Sequence, residues 1–388
     1  MSDEVGFAFE GVDRARWRHR RPEGPARGIV AVLTVLAIVG VLGGGLWYGG
    51  TKLFSAADYA GPGDGEVVVE VKDGDTATDI AGSLVQAGVV KSAAAFVDAA
   101  EDNSDSKNIQ VGSYILRKQM KAADALLMLL DLKNRNISKV TLPEGITHLQ
   151  AYDRLAEATG IPVAEFKKAG KDPQKLGVPA LWFKRTDGKK VDKANIEGFL
   201  YPATYEFARD ATATDVLKVI VKNFNAEMAE LKFAATVTAE LNISPYEALV
   251  AASIAQVEAL LAKDMAPVAR VLYNRAYTGN FPCGCLQLDS TVNYWLRING
   301  KEAKSSEKLL TTEMHDPDNP YRYNAKGMTI GPISNPGEVA LKGAMSPPKS
   351  KFYFFVTVDQ KGAMAYGETY ADHERNIQEA CKNGIPIC

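Results

Sequence analysis

Histidine is scarce in this chain: there are four in 388 residues, and only His315 and His373 stand in the second half. A Ser-His-Asp or Cys-His centre therefore has few places to form, and Gly-x-Ser-x-Gly is absent. No Walker phosphate loop, Gly-rich dinucleotide turn or His-Glu-x-x-His zinc site occurs either. A basic surplus is also missing. Lysine and arginine number 45 against 47 acidic residues, a net charge of −2, which argues against nucleic acid as a partner. Internal repeats and low-complexity tracts are lacking. Cysteine is limited to Cys283, Cys285, Cys381 and Cys388.

What is present begins with one long apolar run. Residues 28–48 carry no charge, are rich in Val, Leu, Ile and Gly, and end in Trp47-Tyr48. About twenty such residues span a bilayer as a helix. Arg14, Arg16, Arg18, Arg20, Arg21 and Arg27 precede the run, and the first basic residue after it is Lys52. The positive-inside rule then places residues 1–27 in the cytoplasm and the rest outside a plasma membrane crossed once. A cleaved signal peptide is the alternative, but the run is long for one and no small-x-small site clearly follows. All four cysteines fall on the outward side, where disulfides form. Cysteines two apart bond each other only with strain, so Cys283 and Cys285 are each expected to reach the tail cysteines. A zinc site is disfavoured, since no histidine lies close in sequence.

The length suggests two or three folded units. Residues 49–65, with Gly61-Pro-Gly-Asp-Gly65, read as a flexible linker. Residues 66–134 read as strand, two helices, strand and helix, a small α+β module without a titratable cluster. It is either a spacer or a ligand- or glycan-binding module. Residues 135–388 read as a larger mixed α+β domain. Within it the loop 184–193 is basic and expected to be solvated, and Phe352 to Val358 reads as a buried strand pairing with Ala363 to Tyr366. A last helix follows Thr369.

Ser244-Pro-Tyr-Glu247 carries a complete helix start: a capping serine, proline where a missing N–H costs nothing, and glutamate closing the capping box. The helix is expected to run from Ala248 to Ala262, and Glu258 is the only ionisable group between Glu247 and Lys263. A carboxylate on an apolar face is costly when ionised, so its pKa should rise and let it carry a proton near neutrality, as a general acid must. The plain alternative is a glutamate on a solvated edge. A second clean helix start is read at Pro267, with Arg270 and Asn274 sharing one face. Leu286-Gln-Leu-Asp-Ser-Thr-Val-Asn-Tyr294 gathers polar groups near the suspected cleft. A lone carboxylate among amides, hydroxyls and tyrosines suits glycan cleavage, and Asp289 is the obvious second carboxylate if two are needed.

Six segments in order resemble the YceG-like family of membrane-anchored endolytic murein transglycosylases. They are Pro143-Glu-Gly145, Glu197-Gly-Phe-Leu-Tyr-Pro-Ala-Thr-Tyr205, Ala252-Ser-Ile-Ala-Gln-Val-Glu258, Val271-Leu-Tyr-Asn-Arg275, Leu286-Gln-Leu-Asp-Ser-Thr291 and Gly331-Pro-Ile-Ser-Asn-Pro-Gly337. The resemblance implies a LysM-like module at 66–134 and a catalytic domain at 135–388. It also implies peptidoglycan glycan strands as substrate, cell-wall synthases as partners and no cofactor or metal. Glu258 falls on the family's catalytic glutamate. It would protonate the oxygen of the MurNAc-β-1,4-GlcNAc bond, then help the muramic C6 hydroxyl attack C1, leaving a 1,6-anhydro end. Asn274, Gln287, Asp289, Ser290, Thr291, Tyr321 and Asn324 are the residues expected to orient glycan or Glu258. Many relatives carry a second glutamate where Gln256 stands here, and Asn319-Pro-Tyr-Arg-Tyr-Asn324 matches the family's tyrosine-rich loop only loosely. The readings of another class are a non-catalytic wall-binding scaffold that recruits synthases, and a hydrolytic muramidase.

Overall fold

The computed structural model describes residues 56–191 and 195–387. The expected membrane helix at 28–48, the segment before it and Cys388 lie outside these residues. Among the described residues no helix is long and apolar enough to cross a membrane. They form a mixed α+β structure with thirteen α-helices and three two-stranded antiparallel sheets. The chain divides into two compact units, the first ending at Asn134 and the second beginning at Arg135.

In the first unit, β1 (Pro62–Val71) pairs with β2 (Gly112–Met120), with Val69 opposite Tyr114. Between them come α1 (Ala77–Gln86) and α2 (Ala93–Glu101), and α3 (Ala122–Leu130) follows. Thr76 and Asp79 close a capping box at α1, satisfying N–H groups that the first turn leaves open. Val69, Leu84, Phe96, Tyr114, Leu116 and Leu126 pack as one core. The expected linker is shorter than read, because the strand already begins at Pro62, opposite Met120. Gly63 makes this possible: its φ is +78°, and a Cβ there would run into the Lys118 carbonyl and the Met120 side chain.

The second unit opens with β3 (Ile137–Thr141), paired to β4 (Thr204–Ala208), and between them lie α4 (His148–Thr159) and α5 (Val163–Ala169). Next come α6 (Ala213–Glu230), α7 (Phe233–Leu241), α8 (Pro245–Glu258) and α9 (Ala262–Tyr277). Then follow α10 (Asp289–Ile298), α11 (Thr311–Met314), α12 (Glu338–Met345), the hairpin β5 (Phe354–Thr357)–β6 (Met364–Gly367) and α13 (Tyr370–Lys382). Every residue of α8 from Tyr246 to Ala255 is buried. A helix apolar on all sides belongs in a core, and its alanines let neighbours approach closely. Both α9 and α12 pack on α8, and Gly343 of α12 lies against the backbone of Ala266 in α9.

Four expectations are corrected here. The helix bearing Glu258 does not continue to Ala262: Ala259 and Leu261 adopt extended backbone and a new helix starts at Ala262. Pro267 consequently lies inside α9 rather than at its start. It forfeits one backbone hydrogen bond, which the buried Val268, Ala269, Val271 and Leu272 offset. The basic loop 184–193 is not simply solvated. The Arg185 side chain is fully buried and pairs with Asp187 at 2.5 Å, donates to the Thr329 carbonyl at 2.6 Å, and lies beside the carboxylate of Glu247 that Thr186 also serves. The hairpin's first strand is half-buried on all four residues, not buried.

Candidate active site

The N-terminus of α8 is bolted down. Ser244 caps it and closes the box with Glu247. The buried Glu247 carboxylate also accepts from the Thr186 backbone at 2.9 Å and its hydroxyl, and from the Tyr277 hydroxyl at 2.9 Å. Burial alone would raise its pKa, but the donors of Ser244 and Thr186 outweigh it and bring the value down to about 2.

The middle of α8 is held by the segments singled out in the sequence. Ser253 Oγ accepts from the backbone of Ile333 at 3.1 Å, and Ser334 Oγ donates to the Ser253 carbonyl at 2.9 Å. Gln256 Oε1 accepts from Gly337 at 2.9 Å. Asn335 accepts from Gly198 and Leu200 and donates to Ile146 and to Glu197, whose carboxylate also takes the backbone and ring N–H of His148. Glu197 is 1% exposed, and its three donors make it a joint between loops rather than a reacting group. The segments at 143–147, 197–205, 252–258 and 331–337 thus form one hydrogen-bonded frame behind the last turn of α8.

Glu258 closes that turn. It is half-buried, at the carbonyl end of the helix, where the macrodipole opposes a negative charge. Burial raises its pKa, a nearby Ser290 hydroxyl lowers it, the Asp289 carboxylate raises it and the Arg275 guanidinium lowers it, with the net direction upward. Ser290 Oγ is buried and, among the described residues, makes no other hydrogen bond. Tyr323 donates its hydroxyl to Asp289, which keeps that carboxylate fixed on the same wall. Arg275 is buried, its pKa pulled down to about 10 by desolvation. It donates to the Tyr353 carbonyl at 2.6 Å and to the Leu286 carbonyl, and its guanidinium stacks over Phe281 at 4.8 Å. One cation thereby ties the hairpin and the 286–290 wall to the end of α8.

Glu258 lines two open depressions. One, of about 520 Å³, is bounded by Gln287, Asp289, Ser290, Asn293, Arg297, Ser306, Tyr323, Phe355 and His373. The other, of about 450 Å³, is bounded by Glu144, Gln256, Val257, Leu260, Met265 and Val339. The carboxyl thus lies between two troughs rather than at the bottom of a closed pocket.

Among the residues singled out in the sequence, Glu258, Gln287, Asp289 and Ser290 come together in the first depression. The others expected to orient glycan do not line it. Asn274 spends its amide on the Ser350 and Phe352 carbonyls, at 3.0 and 2.8 Å, beside Arg270 on the same helix face. Thr291 donates its shared hydroxyl toward the Leu288 and Tyr321 carbonyls, and Tyr321 is buried. Asn324 is exposed outside both depressions. Sequence reasoning missed Arg275, Tyr323, Arg297 and His373, while Asn293 belongs to the polar stretch read near the cleft and does line the first depression. Tyr323 lay one alternate position beyond the tyrosine that was chosen. His373 sits on the final helix, whose cap was legible but whose partner was not. The cysteine expectation is corrected as well: Cys283 bonds Cys285, so neither reaches the tail, and Cys381 is held in a disulfide with neither of them. Gly284, at φ +55°, lets the chain turn tightly enough between them.

Comparison with known proteins adds a family. An endolytic murein transglycosylase of Streptococcus pneumoniae serotype 2 is 24% identical over 343 residues, covering 81% of this chain. This chain spans only 58% of that relative's length. A Bacillus subtilis protein of the same name is 26% identical over 315 residues, covering 80% of this chain and 83% of its own. The crystal structure of a YceG-like protein from Listeria monocytogenes superposes with a TM-score of 0.51 at 27% identity, covering 80% of this chain and 99% of that one. The pattern that defines the YceG-like family matches residues 69–379, and the chain belongs to that family.

Proposed function

We propose that the protein is an endolytic peptidoglycan lytic transglycosylase in which Glu258 acts as general acid and then base. The observation that carries this reading is the position of Glu258: a carboxyl whose pKa is raised by burial and by the Asp289 carboxylate, facing troughs on two sides. A strand cut in mid-length must occupy sites on both sides of the cleaved bond. The protonated carboxyl gives its proton to the glycosidic oxygen as the C1–O bond breaks, freeing the GlcNAc 4-hydroxyl. The resulting carboxylate takes the proton of the muramic C6 hydroxyl as that oxygen bonds to C1. The 1,6-anhydro end forms, no water is consumed, and Glu258 returns to its starting state. Asp289, fixed by Tyr323, is placed to favour the protonated form and the positive charge developing at the sugar. The relatives' names support this assignment.

The first unit carries a trough of about 720 Å³ between the β1–α1 turn and the segment after α2, edged by Lys72, Asp75, Thr76, Asn103, Ser106 and Lys107. In this reading it is a LysM-like module that holds glycan. Residues 28–48 anchor the protein in the plasma membrane with both units outside, near the synthases whose nascent strands it would trim.

The deciding experiment incubates the full chain, as wild type and as Glu258→Gln, with uncrosslinked glycan strands and weighs the products. Anhydro ends from the wild type alone support the assignment. Ends heavier by one water make the protein a muramidase. Absence of cleavage by both, in the presence of membranes and a synthase, leaves a scaffold.

A further inference from the structure

The trough on the Glu144 side contains a carboxylate for which the proposed reaction has no use. Glu144 is exposed, and among the described residues its carboxyl accepts no hydrogen bond and pairs with no cation. Its position is nonetheless built. The carboxyl occupies the space above Gly337, where a Cβ would overlap it. Gly337 is itself held by Gln256, two residues before Glu258, and Gly145 donates to the Asn335 carbonyl at 2.9 Å. The frame behind Glu258 therefore sets the place of Glu144 too. Facing it across the same trough are Val257, Leu260 and Val339, exposed by 43%, 73% and 43%. An acceptor without a donor, opposite a bare aliphatic surface, is complementary to a ligand with one polar edge rich in N–H and O–H groups and one face of C–H bonds. An N-acetylated sugar ring has that shape and chemistry.

We infer that Glu144 is a substrate-positioning residue, accepting hydrogen bonds from hydroxyl or acetamido N–H groups of the sugar that lies against Val257, Leu260 and Val339. It holds the strand in register with Glu258 and carries no proton in the reaction. Gly337 is glycine so that this carboxyl can lie where it does. The inference rests on the proposed glycan substrate.

The test uses the full chain and uncrosslinked glycan strands. Glu144→Ala should raise KM about tenfold with kcat within about twofold, while Glu144→Gln, which keeps an acceptor, should recover most of the loss. Gly337→Ala should push the carboxyl aside and raise KM similarly, and adding it to Glu144→Ala should bring no further loss. Binding to the Glu258→Gln variant is measured in parallel, where Glu144→Ala should weaken Kd about tenfold. An unchanged KM and Kd, or additive losses from the two substitutions, overturns the inference. A collapse of kcat with KM unchanged also overturns it, since Glu144 would then take part in the chemistry. Hydrolysed products, or no cleavage by the wild type, defeat the transglycosylase reading alone, because the binding arm still reports on Glu144.

Discussion

Glu247, fully buried, and Glu258, half-buried at the edge of the cleft, stand at opposite ends of one helix, and their pKa values move in opposite directions. Desolvation is the largest influence on each and raises both. The difference lies in what remains. Glu247 sits at the N-terminus, among Ser244, Thr186 and Tyr277 donors, so its charge is welcome and its carboxylate serves as a structural joint. Glu258 sits at the carbonyl end, with one serine hydroxyl nearby and a second carboxylate on the same wall. A single helix thus supplies an anchor and an acid, and the distinction comes from donors and dipole direction rather than from burial.

The largest test of that contrast replaces the acid. Glu258→Gln should lower product formation by about 10³-fold, read by mass spectrometry, while thermal stability at neutral pH holds or rises, because a carboxyl whose ionisation the fold disfavours is gone. Glu247→Gln should do the reverse. It strands the donors of Thr186, Ser244 and Tyr277, costing roughly 2–3 kcal/mol in urea unfolding, yet activity well below the unfolding temperature should persist. If both substitutions damage the same property, the two ends are not functionally separate.

The pH dependence sharpens the same contrast. The folded pKa of Glu247 is depressed from 4.5 to about 2, so its contribution is fully present above the unfolded value and fades as pH falls from there towards about 2. The shift corresponds to roughly 3 kcal/mol, and the Glu247→Gln variant should lack that part of the acid-side slope in urea titrations. Glu258 acts while protonated, so its activity should fall as pH rises through its elevated pKa. Ser290→Ala removes the donor that holds this value down. The smallest expected effect is therefore a slight upward displacement of the alkaline limb, and a downward displacement would contradict the assigned role of Ser290.

The beginning of α8 was fully legible, since Ser244, Pro245 and Glu247 act through local backbone chemistry that sequence spacing encodes. Its end was not. Ala259-Leu-Leu-Ala262 has the composition of a helix, but Gly362 of the β5–β6 turn leaves room for the Leu260 side chain, and tertiary packing overrides propensity there. Helix α10 went unread for a related reason: Leu288 at its start offers no capping side chain. The site shows the same division. Glu258, Gln287, Asp289 and Ser290 lie in two short segments, each recognisable by itself. Arg275, Tyr323 and His373 join them only through long-range packing, since the Leu286 and Tyr353 carbonyls and the Phe281 ring that hold Arg275 come from later segments. Asn274 and Thr291 share segments with residues of the cleft, yet helix geometry turns them to backbone carbonyls.

The Cys283–Cys285 bond has a consequence for the unfolded chain. A cross-link stabilises chiefly by the freedom it removes before folding, and that quantity grows with the loop enclosed. A three-residue loop is worth roughly 1.6 kcal/mol on this basis, whereas a link from Cys283 to Cys381 would enclose about 100 residues and be worth roughly 4.7 kcal/mol. The observed pairing is therefore a local clip and not a staple for the domain. Reducing it should leave the tail, the hairpin and α8 folded. The loosening would be confined to the turn that feeds Leu286, the carbonyl gripped by Arg275, and so to one wall of the cleft.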